Sequence, residues 1–500
     1  MQWRLKWRTI WAVLAVRNVV LAGEFDDPHT PPERRTIVEL FEWPWEAVAG
    51  ECEALSSIYG AVQVSPAAEH ISMSEQNMSW WVRYQPVSYQ LHSRSGNREQ
   101  FADMVKRCNA AGVRVYVGVV LNQMCGRPRF GTGIGGSSYS GFDRSFPAVP
   151  YTKEDFHAEC SIDYEDASSI QNCQVMDLVD LRTESGHVRG KIAEFLNDLL
   201  NLGVAGFRVD AARHVPSEDL EAIFKKLNDV NPEVGQGRPF VYNEVLDMQQ
   251  DEPRGTRMSD YSDCCGRVSN FLYGPALSAA IRGKTNLKYF GGFAAATWNL
   301  PAAEEEVHFV DDHNTQRKGC HSGGCGVEGS VLTHKERSDY ELAVAFMLAQ
   351  AYGIPKLMSS YTFDNSDQGP PSDREHKLRR PNCGDKEGLV GEPSSSSWVC
   401  EHRWPVAMRM ALFRGACTGQ PQLLSAAEDG RVAFRRGRKG FFAVNADSDD
   451  DWTRTFYTGL SPGPRCNILA EHCTEDTMVR VDESGHAEIT VKKNGALALL

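Results

Sequence analysis

The 500-residue chain lacks several features that would fix its class at a glance. It has no Cys-x-x-Cys pair, and neither adjacent Cys264-Cys265 nor Cys320-x4-Cys325 has the spacing of a zinc site. It has no excess of positive charge: a net charge of −13 gives a nucleic-acid partner no electrostatic footing. No unbroken apolar run reaches the roughly 20 residues of a transmembrane helix, so stable membrane insertion is not expected. No solenoid-type repeat is present, which excludes a stacked array. What remains is ordinary, with 41% hydrophobic and 24% charged residues, in a chain too long for one small core.

The first residues carry Arg4, Lys6 and Arg8, then an apolar run over 10–16, broken by Arg17 and Asn18 before Val19-Val20-Leu21-Ala22-Gly23. A positive start, a short apolar stretch and small residues predict a secretory signal over 1–22 and an extracellular protein. Fourteen cysteines agree with an oxidising compartment. Asn77-Met78-Ser79 is a glycosylation sequon.

Short β-rich apolar runs recur at 37–41, 61–65, 113–122, 206–211, 240–246, 268–273, 308–313 and 354–359. Helical patterns follow several of them. Residues 98–111 space Phe101, Met104, Val105 and Cys108 at helical intervals before Gly112, and 188–202 do the same with Ile192, Phe195, Leu199 and Leu202 before Gly203. Ser338-x-x-Glu341 reads as a capping box ahead of an apolar helix ending at Gly353. Eight strands alternating with helices predict an α/β fold, a (β/α)8 TIM barrel. Residues 123–182, rich in Gly, Ser, Pro and acids, break the alternation as an irregular inserted domain after the third strand. Residues 415–500 read as a C-terminal all-β domain from segments such as Gly440-Phe441-Phe442-Ala443-Val444. The barrel then occupies 23–122 and 183–414, with a Pro/Gly/Ser-rich surface loop over 368–397.

Gly206-Phe207-Arg208-Val209-Asp210-Ala211 and Val241-Tyr242-Asn243-Glu244-Val245 each end a buried strand with one carboxylate. A parallel barrel keeps its reacting groups at strand C-termini. A carboxylate pair placed there suits glycosidic-bond cleavage, which needs a nucleophile and a proton donor.

With His308-Phe309-Val310-Asp311-Asp312-His313-Asn314 and residues 115–126, these segments resemble the four conserved blocks of animal-type α-amylases, glycoside hydrolase family 13. Flanking matches are Leu40-Phe41-Glu42-Trp43, Val62-Gln63-Val64-Ser65-Pro66, Trp80-Trp81-x-Arg83-Tyr84-Gln85-Pro86 and Trp398-Val399-Cys400-Glu401-His402-Arg403-Trp404. The matches keep their order from about residue 35 to the C-terminus. The resemblance implies retaining hydrolysis of α-1,4-glucans such as starch, glycogen and maltooligosaccharides by a monomer, with Asp210 as nucleophile and Glu244 as general acid. It assigns sugar contacts to Trp80, Trp81, Tyr84, Gln85, Gln123, Arg213, His214, His313 and His321. It implies a calcium ion held by Asn122 and Asp180 side chains and by the carbonyls of Gln171 and His214, and a chloride near Arg208, Asp312 and Lys356. It pairs Cys52 with Cys108, Cys160 with Cys173, Cys383 with Cys400 and Cys466 with Cys473. Cys320 and Cys325, in a Gly-rich loop, are candidates for a further bridge.

The chain departs from the family pattern inside these blocks. Asn314 stands where the family has a third catalytic Asp, Gln123 replaces a sugar-binding His, Gly118 an Asp, and Gln171 an Arg. Asp312 replaces an Asn and Lys356 an Arg at the chloride positions. An amide at 314 can hydrogen-bond but supplies no charge. Asp312, set beside Arg208 and Lys356, is a candidate to take the anion's place and make chloride unnecessary. Two readings follow: an α-amylase-type hydrolase slowed by Asn314, or an inactive relative that binds glucan or protein. The intact Asp210–Glu244 pair favours the enzyme.

Overall fold

The computed structural model describes residues 23–72, 79–126, 129–246, 256–290, 306–317, 330–383 and 397–500. The expected leader, Asn77 and Met78 of the sequon, His321, Cys320 and Cys325 lie outside the described residues.

Eight parallel strands close into a barrel. They are β1 Ile37–Leu40, β2 Ala61–Val64, β3 Arg114–Val120, β4 Gly206–Asp210, β5 Phe240–Asn243, β6 Arg267–Asn270, β7 Glu306–His308 and β8 Ile354–Ser359. Seven of the eight expected runs hold a strand over most or much of their length. The run expected at 308–313 meets β7 only at His308, because residues 309–313 leave the ladder for the turn that Asp312 closes. Each strand pairs with its sequence neighbours, β1 closing on β8. The register sets Gly118 opposite Arg208, Val120 opposite Asp210 and Val209 opposite Asn243. These strands are buried along nearly their whole length, so they read as continuous apolar runs rather than alternating ones. The exceptions, such as Glu39, Gln63, Arg208 and Lys356, are polar groups forced into the barrel interior.

Helices cover the outside. Arg98–Ala110 starts on an Asn97–Gln100 capping box and buries the expected stripe of Phe101, Met104, Val105 and Cys108. It stops ahead of Gly112, whose φ of +73° suits a residue without Cβ. Gly186–Asn201 buries Ile192, Phe195 and Leu199 as expected. The expected Ser338–Glu341 box does not form. Thr333 and Glu336 make the box on a 3₁₀ turn one turn earlier, and Arg337–Ala349 continues from it. Glu341 instead pairs with Arg337 at 3.0 Å.

Between β3 and Gly186, two small antiparallel ladders stand outside the barrel, Gln123–Gly126 with Leu178–Asp180 and Phe130–Thr132 with Ser138–Ser140. The C-terminal part is antiparallel, led by a four-stranded sheet of Gln422–Glu428, Arg431–Arg436, Gly440–Asn445 and Gly495–Leu499. The period of two decides its packing. Phe441 and Ala443 join a separate core with Trp452, Phe456 and Leu497. Phe442 points the other way, onto Phe346 of a barrel helix, with ring centres 6.1 Å apart.

The four expected disulfides, Cys52–Cys108, Cys160–Cys173, Cys383–Cys400 and Cys466–Cys473, are present, and among the described residues adjacent Cys264 and Cys265 are bridged as well. Cys125 and Cys417 are buried thiols.

Candidate active site

Because all eight strands run the same way, their C-terminal ends open on one face, and the candidate groups gather there. Arg208 and Asp210 lie two residues apart on β4 and so point the same way, into the barrel mouth. Glu244 follows β5 directly. The Arg208 guanidinium, almost fully buried, grips both acids: it pairs with Asp210 and reaches Glu244 Oε1 at 2.7 Å. Ala211, turned into the left-handed region at φ +49°, aims its N–H at Glu244 Oε2, 2.7 Å away. One cation and one amide thus fix the two carboxyls at one place.

Burial pushes the Glu244 pKa up to about 7; Arg208 opposes the rise and the Asp210 charge adds to it. A glutamic acid that keeps its proton near neutrality beside a carboxylate gripped by arginine is the division of labour of acid and nucleophile. Asn314 Nδ2 donates to Glu244 Oε1 at 3.0 Å. That donation favours the ionised acid, whereas a carboxylate at 314 would favour the protonated one.

These groups face a cavity of about 360 Å³. Trp80, Trp81 and Tyr84 come from one 3₁₀ turn and form one wall. Gln85, Gln123, His313 and Asn314 line it as expected. Gln123 Nε2 is spent on the Tyr84 carbonyl at 3.3 Å. Arg213 and His214 do not line the cavity, contrary to expectation. Arg213 Nη1 turns to the Leu246 carbonyl at 2.6 Å, and His214 Nδ1 contacts the Ile170 carbonyl at 2.9 Å.

The expected grouping of Asp312 with Lys356 is also corrected. Asp312 Oδ1 caps its own turn, accepting from the N–H of Asn314 at 3.0 Å and of Thr315 at 2.8 Å. Lys356 Nζ goes instead to Glu39 Oε2 at 2.5 Å. Oδ1 is thereby committed to the local turn, while the Asp312 charge still acts on the Arg208 guanidinium as expected.

At the proposed calcium position, Asp180 is buried beside His157, with Nδ1 to Oδ2 at 2.6 Å, and its Oδ1 has no hydrogen-bond partner. Asn122 passes its carbonyl to the N–H of Leu181 at 2.9 Å and keeps a buried, unpartnered Nδ2. The His214–Ile170 contact brings His214 and the neighbouring Gln171 into one corner. Asp180 Oδ1, beside the Asn122 amide, is a hard oxygen donor of the kind a calcium ion takes, so this corner fits the group, although no group of three or more His, Cys, Asp or Glu able to hold a metal ion occurs among the described residues.

Sequence reasoning missed Glu39, Arg129, Arg317 and the 175–178 segment. Arg129 lies over Trp81, its guanidinium 5.5 Å from the ring centre, and Arg317 over Phe363 at 4.4 Å. Residues 175–178 and Arg129 come from outside the barrel, where no strand pattern announces them. Glu39 had a signal, a lone acid inside the apolar strand Ile37-Val38-Glu39-Leu40.

A parallel eight-stranded barrel with an arginine-linked Asp–Glu pair at its mouth, under a wall of aromatics, defines a carbohydrate-cleaving architecture. The comparisons agree. The chain is 39% identical over 480 residues to an α-amylase of Tribolium castaneum, covering 93% of each, and 40% identical over 498 residues to an α-amylase of Pecten maximus, covering 95% and 94%. An α-amylase-related protein of Drosophila auraria is 39% identical over 483 residues, with 93% of each covered. Among solved structures, wild-type α-amylase I of Eisenia fetida superposes with a TM-score of 0.87 at 34% identity, covering 95% of this chain and 98% of that one. A mutant of the same enzyme, solved with maltohexaose, matches at 0.87 and 33%, again with 95% and 98% covered. No family model matches the chain. The chain belongs to the α-amylase family and is a glycoside hydrolase of the amylase type.

Proposed function

We propose that this protein is a secreted hydrolase that cuts α-1,4-glucosidic bonds inside starch-type glucans with retention of configuration, more slowly than a site with a third carboxylate. The observation that carries the reading is the single Arg208 guanidinium holding both Asp210 and Glu244. Asp210, kept in line by that ion pair, attacks the anomeric carbon. Glu244, whose pKa of about 7 keeps a substantial share of it protonated near neutrality, gives its proton to the departing oxygen and then takes one from the water that displaces Asp210 from the sugar. Trp80, Trp81 and Tyr84 supply flat faces on which glucose rings rest. The maltohexaose bound by the Eisenia fetida mutant supports an oligoglucan as occupant.

Asn314 supplies a hydrogen bond but no charge, and losing one preorganised electrostatic group costs about 10²- to 10³-fold in rate. Asn122, Gln171, Asp180 and His214 would hold a calcium ion that ties the 123–182 region to the barrel. The chloride role has little left to do, because Lys356 already has Glu39 as a partner. No described helix is long and apolar enough to cross a membrane; secretion rests on the leader, and the protein acts as a monomer.

Hydrolysis of a blocked maltooligosaccharide by the wild type, Glu244→Gln and Asn314→Asp tests the reading. The expected order is Asn314→Asp fastest, wild type next and Glu244→Gln at background. A wild type no faster than Glu244→Gln, with Asn314→Asp active, favours the second reading, a glucan-binding protein disabled by the Asn314 contact to Glu244.

A further inference from the structure

Glu39, on β1, is fully buried in the barrel, and both its oxygens are engaged away from Asp210 and Glu244. Its two oxygens are divided between two partners: Oε1 lies 2.6 Å from His313 Nδ1 and Oε2 lies 2.5 Å from Lys356 Nζ. Burial by itself would raise the Glu39 pKa; Lys356 and His313 outweigh it and hold the group well below the usual carboxylate range. A carboxylate only accepts, so the short contact to His313 places a proton on Nδ1.

The rest of the His313 ring is held by stacking. Phe41 lies against one side with ring centres 4.8 Å apart and planes 15° off parallel, and Tyr84 stacks at 5.5 Å and 16°. Stacking fixes the plane of an imidazole but leaves it able to flip within that plane, exchanging its two nitrogens. The edge contact to Glu39 removes that freedom. Nε2 then stands toward the cavity, 3.1 Å from the Tyr84 hydroxyl, among the residues a sugar would meet.

We infer that Glu39 is a positioning residue for the sugar-binding site: paired with Lys356, it locks His313 with Nδ1–H into the barrel and Nε2 toward the substrate. This rests on the proposed glucan reading for what Nε2 meets, but the lock itself does not. Lys356 keeps the anchor ionised without reaching the cavity. The charged groups around the lock are Lys356 and His313 themselves, Glu244, on whose carboxyl the His313 charge acts, and Arg317, which donates to the His313 carbonyl. Tyr242, which gives its hydroxyl to Gln63 at 2.5 Å, packs the next layer of the barrel.

The experiment uses the full chain with histidines labelled in the ring nitrogens, the His313 signals being assigned by their loss in His313→Gln. Replacing Glu39 alone strands a buried lysine and risks misfolding. The informative variant is therefore Glu39→Leu with Lys356→Met, which removes both charges together. A second, Glu39→Gln with Lys356→Met, restores only an acceptor. Two readouts follow: the low-field Nδ1–H resonance of His313, and maltohexaose affinity in a Glu244→Gln background that cannot consume the ligand. The expected result is loss of the resonance and at least about tenfold weaker binding in the first variant, with substantial recovery of both in the second. A folded Leu/Met variant that keeps the resonance, or that binds maltohexaose as tightly as its parent, overturns the lock. If the parent itself binds no maltohexaose, the glucan reading fails, and the resonance alone decides whether Glu39 holds the histidine.

Discussion

Two sides of one barrel mouth have fared differently. On the β4–β5 side, Arg208, Asp210, Glu244 and the Ala211 N–H form a closed set of contacts around one guanidinium. On the side built by β7, β8 and β1, the contacts are rearranged relative to what the resemblance implies: the Asn314 amide meets Glu244, Asp312 Oδ1 closes its own turn, and Lys356 pairs with Glu39. On the proposed mechanism the bond-making and bond-breaking groups are on the first side, and the groups that tune and orient are on the second. The contrast separates what the reaction requires from what sets its rate.

Glu244→Gln on the first side should have the largest effect, a fall in kcat of about 10³-fold or more with maltohexaose affinity retained, measured by hydrolysis and calorimetry. A fall under tenfold would erase the contrast. Asn314→Asp on the second side should raise kcat/KM about 10²-fold. It should also move the alkaline limb of the pH profile upward. The sign follows from the acid's role: Glu244 carries its proton below about 7 and loses it above, so wild-type rate falls as pH rises through that value. Replacing the amide donor by a carboxylate makes the proton harder to lose. An alkaline limb that stayed in place would show that 314 does not act through Glu244.

Trp81→Ala should raise KM about tenfold with little change in kcat, since the ring offers binding surface remote from the broken bond. Removing divalent cations with a chelator should lower Tm by several degrees and calcium should restore it; an unchanged Tm would leave Asp180 Oδ1 without the partner argued for it. The smallest expected effect is that of chloride at constant ionic strength, under twofold on rate. A steep rise would mean that Glu39 does not satisfy Lys356.

Much of this was legible before any coordinates. The eight barrel strands announced themselves because parallel strands buried on both faces are short, continuous and β-branched, and Asp210 and Glu244 stood at the ends of two of them. The capping box moved from Ser338 to Thr333 because a 3₁₀ turn precedes the helix, and a four-residue pattern does not say which of two adjacent turns it opens. The Asp312–Lys356 pairing failed for a different reason: sequence gives the residue types in a charged site but not which oxygen is already spent on a local turn. Glu39 was visible as an acid in an apolar strand, yet its partners lie 274 and 317 residues away. Only closure of β1 on β8 brings them to it.

On the proposed reading Asp210 is the nucleophile of a working site and bonds covalently to the anomeric carbon. Incubating the protein with an activated fluoro-sugar that forms a long-lived glycosyl–enzyme, then mapping the peptides by mass, tests it most directly. One sugar on Asp210, absent in Asp210→Asn, is the expected result. No adduct, or an adduct on another carboxylate, would contradict it.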